Sequence, residues 1–289
     1  MNTGALSAVL RRRALQVSDA SARVTSPARM LPGFLVVGAQ RCGTTSMFKA
    51  LAQQPLVAKP FLRKGVHFFD THYDEGLDWY RGNFPVGATS RLRRPGAGRP
   101  VTGESSPYYM FHPLAGQRIA DDLPDVKLIV MLRDPVERAY SAHAHEFARG
   151  YEREPFERAV ALEPERVVGQ RERMLAEPGY QSYDWQHHAY LARGRYHEQL
   201  QALEALVGRD RLLPVDSQQF FDDPGPAFSE VLRFLGLPDR TGTVFEQHNS
   251  RSRSPMPDAL RARIEEHFAS HDERLAAWWG RAPSWRRTP

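Results

Sequence analysis

Gly38 and Gly43 bracket a four-residue loop that follows an apolar run, Phe34 to Val37, and precedes three hydroxyl residues, Thr44, Thr45 and Ser46. Glycines at that spacing let successive backbone N–H groups turn inward and cradle an anion. The hydroxyls fall where a helix N-terminus already favours negative charge. Gln40, Arg41 and Cys42 fill the loop, and Arg41 brings a cation to it. The spacing matches the nucleotide-triphosphate loop G-x-x-x-x-G-K-[ST] up to one position, where lysine is replaced by Thr44. Cys42 is open to two readings there, a reactive thiol or a small residue that fits a tight turn.

A second anion site is expected further on. The apolar run Lys127 to Leu132 leads into Arg133, Asp134 and Pro135, with Ser141 two helical turns later. A guanidinium at a strand exit grips phosphate in a bidentate fork, and a hydroxyl can complete the grip. Taken alone, Arg133 and Asp134 also fit an ion pair. Taken with the first loop, they suit a ligand that carries phosphates at both ends.

These residues need strands and helices to hold them. Phe34 to Val37 and Lys127 to Leu132 read as buried parallel strands, and Arg211 to Val215 as a third. Gly65 to Phe69 read as a short strand, and Val101 to Glu104 as a strand end. Helices are expected over Ser46 to Gln54, Pro113 to Asp122, Pro135 to Gly150, Tyr183 to Leu206 with a break near Gly194, Pro226 to Leu235, and Asp258 to Trp279. Leu77 to Asn83 read as a helix or turn with two exposed-looking aromatics, Trp79 and Tyr80. Residues 155 to 180 read as a charged, helix-prone lid or insertion. Strands alternating with helices specify an α/β class with a parallel sheet. Residues 1–31 are expected to form a mobile tail or one loosely docked helix, and 32–289 a single domain.

Composition is that of ordinary globular material, 41% hydrophobic and 25% charged. No apolar run approaches the roughly 18–20 residues of a membrane span, so none is expected. Cys42 is the only cysteine, which excludes an internal disulfide and suits a reducing cytoplasm. The net charge of +5 is compatible with an anionic ligand. The basic stretch Arg91, Arg93, Arg94 and Arg99 is broken by Pro95, Gly96, Gly98 and Pro100 and reads as a solvated loop, so no nucleic acid partner is expected. The scattered histidines lack metal-ligand spacing, and no metal is expected.

GAQRCGTTSM followed by LIVMLRDPVERAYSA resembles the cofactor signature of sulfotransferases that use 3′-phosphoadenosine 5′-phosphosulfate (PAPS), in their heparan-sulfate-type and bacterial branch. RKGVHFFD, GESSPYYMFHP, YLARGRYHEQL and FLGLP extend the likeness over roughly residues 33–280. The resemblance implies a P-loop NTPase-like sulfotransferase fold, a three-layer parallel sheet flanked by helices. It implies that Gly38, Gln40, Arg41, Cys42, Gly43, Thr44, Thr45 and Ser46 hold the 5′-phosphosulfate. Arg133 and Ser141 would hold the 3′-phosphate, and Arg251 or Arg253 would cover it. It also implies sulfuryl transfer, without a metal, to a hydroxyl or amine of a carbohydrate, lipid or small-molecule acceptor in a bacterial cytoplasm. Arg41 and Lys64 would stabilise charge on the leaving phosphate.

The base is where the chain departs from these relatives. Their motif Lys-Glu-x-His-Phe-Phe carries a glutamate base; here Gly65 stands in its place. In an extended segment His67 would point to the same side as position 65. His67 is therefore the expected base, and Glu104 the second candidate. A further departure is Ser105, where some relatives carry a catalytic lysine. Two other functions stay open: a small-molecule kinase of the same loop class, against which Thr44 counts, and a non-catalytic binder of nucleotides or sulfated polymers.

Overall fold

The computed structural model describes residues 24–60, 65–92, 98–239, 242–246 and 255–286. Its apolar runs become five parallel strands: β1 Phe34–Gly38, β2 Val57–Ala58, β3 Val101–Ser105, β4 Lys127–Leu132 and β5 Leu212–Asp216. They are ordered β2-β3-β1-β4-β5, so β1 is central. Every residue of β1 is buried, as a strand covered on both faces must be. Across the sheet Leu35 lies opposite Glu104 and Leu128, and Val36 opposite Ser105 and Ile129.

The chain leaves β1 toward β2 through the helix Thr44–Leu51, and moves the opposite way from β3 to β4 through Ala115–Asp122. Right-handed crossovers in opposite directions place their helices on opposite faces of the sheet. Tyr196–Val207 packs between Ala115–Asp122 and Asp258–Trp279. Leu203 and Leu206 close on Gly116, where a side chain would meet them at 3.0 to 3.2 Å. Strand order reverses beside β1, and ligands bind at such points, beyond the carboxyl ends of the strands. No helix among the described residues is long and apolar enough to cross a membrane.

Several expectations change. Gly65 to Phe69 is not a strand: an irregular segment runs through His67 and a short helix covers Phe68–Thr71. Trp79 and Tyr80 are buried rather than exposed, and Tyr80 stacks on Phe68 at 4.6 Å. Their helix, Leu77–Gly82, is too short to show a periodicity that would have revealed its inner face. The break near Gly194 is wider than expected, with helices Tyr183–His187 and Tyr196–Val207 separated by a 3-10 turn at Ala192–Gly194. The end of the N-terminal segment is docked: Ser26 is buried and bonds Asp78 at 2.6 Å, and Arg29 bridges to Val86. The earlier part of that tail lies outside the described residues.

The excursion between β4 and β5 is clasped by one carboxylate. Buried Glu152 accepts from the backbone N–H of Arg153 and Glu154 at 2.8 and 2.9 Å, from Arg166 at 2.7 Å and from the Tyr190 hydroxyl at 3.0 Å. Burial pushes its pKa up, but these donors outweigh burial and hold it at about 2, below the usual 4.5. A depressed carboxyl contributes stability that is present above pH 4.5 and lost as pH falls through about 2, because the folded state then binds fewer protons than the unfolded one. Glu152→Gln should therefore melt at lower temperature than wild type at pH 7. The gap between the two should narrow steadily below pH 4.5 in melting curves recorded against pH.

Candidate active site

The loop after β1 has the geometry of a candidate anion site. Gly43, at φ 86°, is the N-cap of Thr44–Leu51, and no side chain caps that helix. Its left-handed backbone suits glycine, and a side chain there would strike the ring of Phe221 at 2.9 Å. Arg41 also adopts a left-handed conformation, at φ 72°. Its Nε donates to the Ser141 hydroxyl at 3.1 Å. One contact thus joins the two halves of the signature, 100 residues apart. Arg133 sits where β4 ends and pairs with Glu137 at 3.5 Å rather than with Asp134. Asp134 instead caps the helix Pro135–Ala148, accepting from Val136 N–H at 2.9 Å. Thr44 and Ser46 are buried in the first turn of their helix, and Thr45 lies between them.

Cys42 is buried, and burial pushes its thiol pKa up against the opposing pull of Arg138, Tyr196 and Arg133. That favours the tight-turn reading over a reactive thiolate. Gln40 is held by Arg193, which is itself buried between the rings of Tyr108 and Phe111, each 4.9 Å away. Burial lowers the Arg193 pKa to about 10, still charged at neutral pH. Arg138, fully buried on the helix that carries Ser141, has no hydrogen-bond partner for its Nε and Nη1. Arg193 and Arg138 were not singled out from the sequence. A lone arginine among apolar neighbours in LARG was the available signal for the first.

Glu104 is fully buried at the end of β3 and saturated with donors. Val66 N–H donates to it at 2.6 Å, Ser106 Oγ at 2.7 Å, Tyr109 OH at 2.7 Å and Tyr80 OH at 3.0 Å. Two of those donors are relays. Ser106 Oγ accepts from His67 N–H at 3.0 Å, and Tyr109 OH from Phe68 N–H at 2.8 Å. Three consecutive backbone amides therefore end on one carboxylate. This geometry makes Glu104 a buried clasp for the segment that carries His67. Burial pushes its pKa up against these hydrogen bonds.

His67, held by that clasp, is left-handed at φ 56°. Such strain costs on the order of 1–3 kcal/mol. The His67 N–H bond to the Ser106 hydroxyl contributes about 0.5–1.5 kcal/mol and the Val66 N–H bond to the Glu104 carboxylate about 1.5–3 kcal/mol, together enough to hold it. Its side chain is 43% exposed, and its Nδ1 lies 2.8 Å from the buried carboxylate of Asp70. Gly65 lies against β3, where a Cβ would sit 2.6 Å from the Ser105 carbonyl oxygen. The Ser105 hydroxyl is buried without a hydrogen-bond partner. Lys64, Arg251 and Arg253 lie outside the described residues.

A family model described as "Sulfotransferase domain" matches residues 31–285. The chain belongs to the sulfotransferase-domain family. It is 30% identical over 215 residues to human bifunctional heparan sulfate N-deacetylase/N-sulfotransferase 2, covering 72% of this chain and 22% of that protein. It is 36% identical over 121 residues to mouse heparan sulfate glucosamine 3-O-sulfotransferase 6, covering 42% of this chain and 32% of that one. The chain thus spans about a fifth to a third of the length of these curated relatives. The crystal structure of a sulfotransferase from Alicyclobacillus acidocaldarius superposes with a TM-score of 0.65 at 31% identity, covering 89% of this chain and all of that one.

Within this sulfotransferase domain, position 65 has no room for a side chain. Gly65→Ala and Gly65→Glu should both destabilise the fold, by roughly 1–3 kcal/mol in urea unfolding, because a backbone carbonyl must move. Gly65→Glu should give no gain in turnover.

Proposed function

We propose that this domain transfers a sulfuryl group from PAPS to a hydroxyl or amine of a carbohydrate, lipid or small-molecule acceptor. The observation that supports this most is the Arg41–Ser141 contact, which brings the two anion-binding segments into one site. The residues present fit such a ligand. A helix N-terminus without a side-chain cap, three hydroxyls and Arg41 suit the 5′ phosphosulfate, and Arg133 with Ser141 suits the 3′-phosphate. Lys64 and one of Arg251 and Arg253 complete the set of cations. The kinase reading needs a lysine after Gly43; Thr44 there is buried and uncharged.

PAPS, when bound, supplies the sulfuryl group and a phosphate leaving group. The loop amides and Arg41 stabilise negative charge at the 5′ end, and they are in place beforehand, so little reorganisation is required. Buried Arg138 adds positive charge close behind Cys42. His67 takes the acceptor's proton on Nε2, the nitrogen turned away from Asp70, since an imidazole with Nδ1–H donated to a carboxylate carries its lone pair on Nε2. The heparan sulfate relatives support a glycan as one acceptor class. A sole, buried cysteine supports a reducing, cytoplasmic setting.

A thermal shift with 3′-phosphoadenosine 5′-phosphate should exceed that with ATP and Mg²⁺, and labelled PAPS should turn over against a panel of sugar, lipid and phenol acceptors. Equal shifts, with no sulfated product, would count against the reading. Ser141→Ala should weaken 3′-phosphoadenosine 5′-phosphate binding by roughly 10- to 100-fold, as measured by calorimetry. His67→Ala should leave that affinity in place and lower kcat by roughly 10²- to 10⁴-fold.

A further inference from the structure

Asp70 has no role in the site as described so far, yet its carboxylate is buried beside the one exposed imidazole that the Glu104 clasp holds. It sits in the short helix Phe68–Thr71, three residues after His67. Its two oxygens are used differently. Oδ1 accepts from the Thr71 N–H at 2.7 Å and from the Thr71 hydroxyl at 3.2 Å, which fixes the carboxylate on its own turn. Oδ2 faces Nδ1 of His67 at 2.8 Å. The carboxylate side chain has no exposure, whereas the imidazole is 43% exposed. The anchoring partner is therefore shielded from water and the anchored ring is partly open to solvent.

We infer that Asp70 is a positioning residue for the transfer: by accepting from Nδ1–H it holds His67 in the tautomer whose Nε2 receives the acceptor proton. This rests on the reading of His67 as the base. The backbone of His67 is set by the Glu104 clasp and its ring by Asp70, so both the position and the proton arrangement of the imidazole are determined before any acceptor arrives. A carboxylate that orients an imidazole also stabilises the imidazolium formed when the proton is taken. The pairing explains how the chain works with Gly65 where its relatives carry a glutamate. A glutamate cannot stand on this backbone, whose Cβ would fall 2.6 Å from the Ser105 carbonyl oxygen, and a histidine one turn away from Asp70 takes the role.

Asn in place of Asp70 offers its Oδ1 or its NH2 to the ring at similar volume, so Asp70→Asn tests charge and tautomer rather than packing. Other charged and titratable groups near the pair are Glu104 from β3, Tyr108, Tyr109 and His112 from the turns after it, His72 from the next turn, and Arg118, which acts on Asp70 from the helix Ala115–Asp122. They are unchanged in the variant. Three measurements are made on the full chain: calorimetric affinity for 3′-phosphoadenosine 5′-phosphate, the pH profile of PAPS turnover with the best acceptor of the panel, and long-range ¹H–¹⁵N NMR of His67 with 3′-phosphoadenosine 5′-phosphate present.

The expected result for Asp70→Asn is an unchanged affinity and KM for PAPS, and kcat lower by on the order of 10²- to 10³-fold. The acid limb of the pH profile should move to lower pH, and the Nδ1–H tautomer seen in wild type should be lost. Asp70→Glu should recover part of kcat. If Asp70→Asn is poorly folded, the tautomer in wild type and the kcat of Asp70→Glu decide. Wild-type tautomer and turnover in Asp70→Asn, with His67→Ala inactive, would overturn the role of Asp70 and leave His67 as base. An active His67→Ala would overturn the base reading itself, and an Nε2–H tautomer in wild type would overturn the inference directly.

Discussion

One buried carboxylate organises the reacting side of this molecule. Glu104 collects four donors, and through two hydroxyl relays it fixes three consecutive amides, those of Val66, His67 and Phe68. Burying a charge without partners would cost several kcal/mol, so the cluster is stable only when complete. That condition couples β3, the Ser106–Tyr109 turn, Tyr80 and the segment around His67 into a single unit. The left-handed backbone of His67 is sustained by that unit, and its imidazole is the part that reaches solvent.

The second unit is the anion cradle. β1 carries Gly38 to Gly43, and Met110 N–H bonds the Val37 carbonyl at 2.9 Å, so the turn that contains Tyr109 also braces the strand leading into the loop. The Arg41–Ser141 contact closes the cradle from the β4 side. The loop after β1 and the segment around His67 therefore share a frame: adjacent strands β1 and β3, with Val36 opposite Ser105. Arg193 extends this frame outward, since it ties Gln40 of the loop to the carbonyls of Trp185 and Gln186 in the long excursion.

Much of the fold was legible because its strands are apolar on both faces. KLIVML and FLVV fit central strands of a covered parallel sheet, and helix Asp258–Trp279 was read to its ends from its 3.6-residue spacing and flanking residues. β2, two residues long, and the helix Ser217–Asp222 carry too little pattern to be read. The segment Gly65 to Phe69 looked like a strand because its apolar residues alternate weakly. Its amides find a carboxylate and two hydroxyls rather than a neighbouring strand, and that decides its shape.

By itself the sequence determined the sheet class and pointed to the loop after β1 as a candidate anion site, because both rest on local spacing: apolar runs, two glycines five positions apart, and hydroxyls at a helix start. It also determined that glutamate is missing at position 65. Only the tertiary structure decided which of the two candidate bases is accessible. Glu104 and His67 lie 37 positions apart, and their difference is one of burial and partners: Glu104 is enclosed by donors from three separate segments, whereas His67 is pushed outward by them and paired with Asp70. Long-range burial of this kind has no signature in residue spacing, because it depends on which segments the folded sheet brings together.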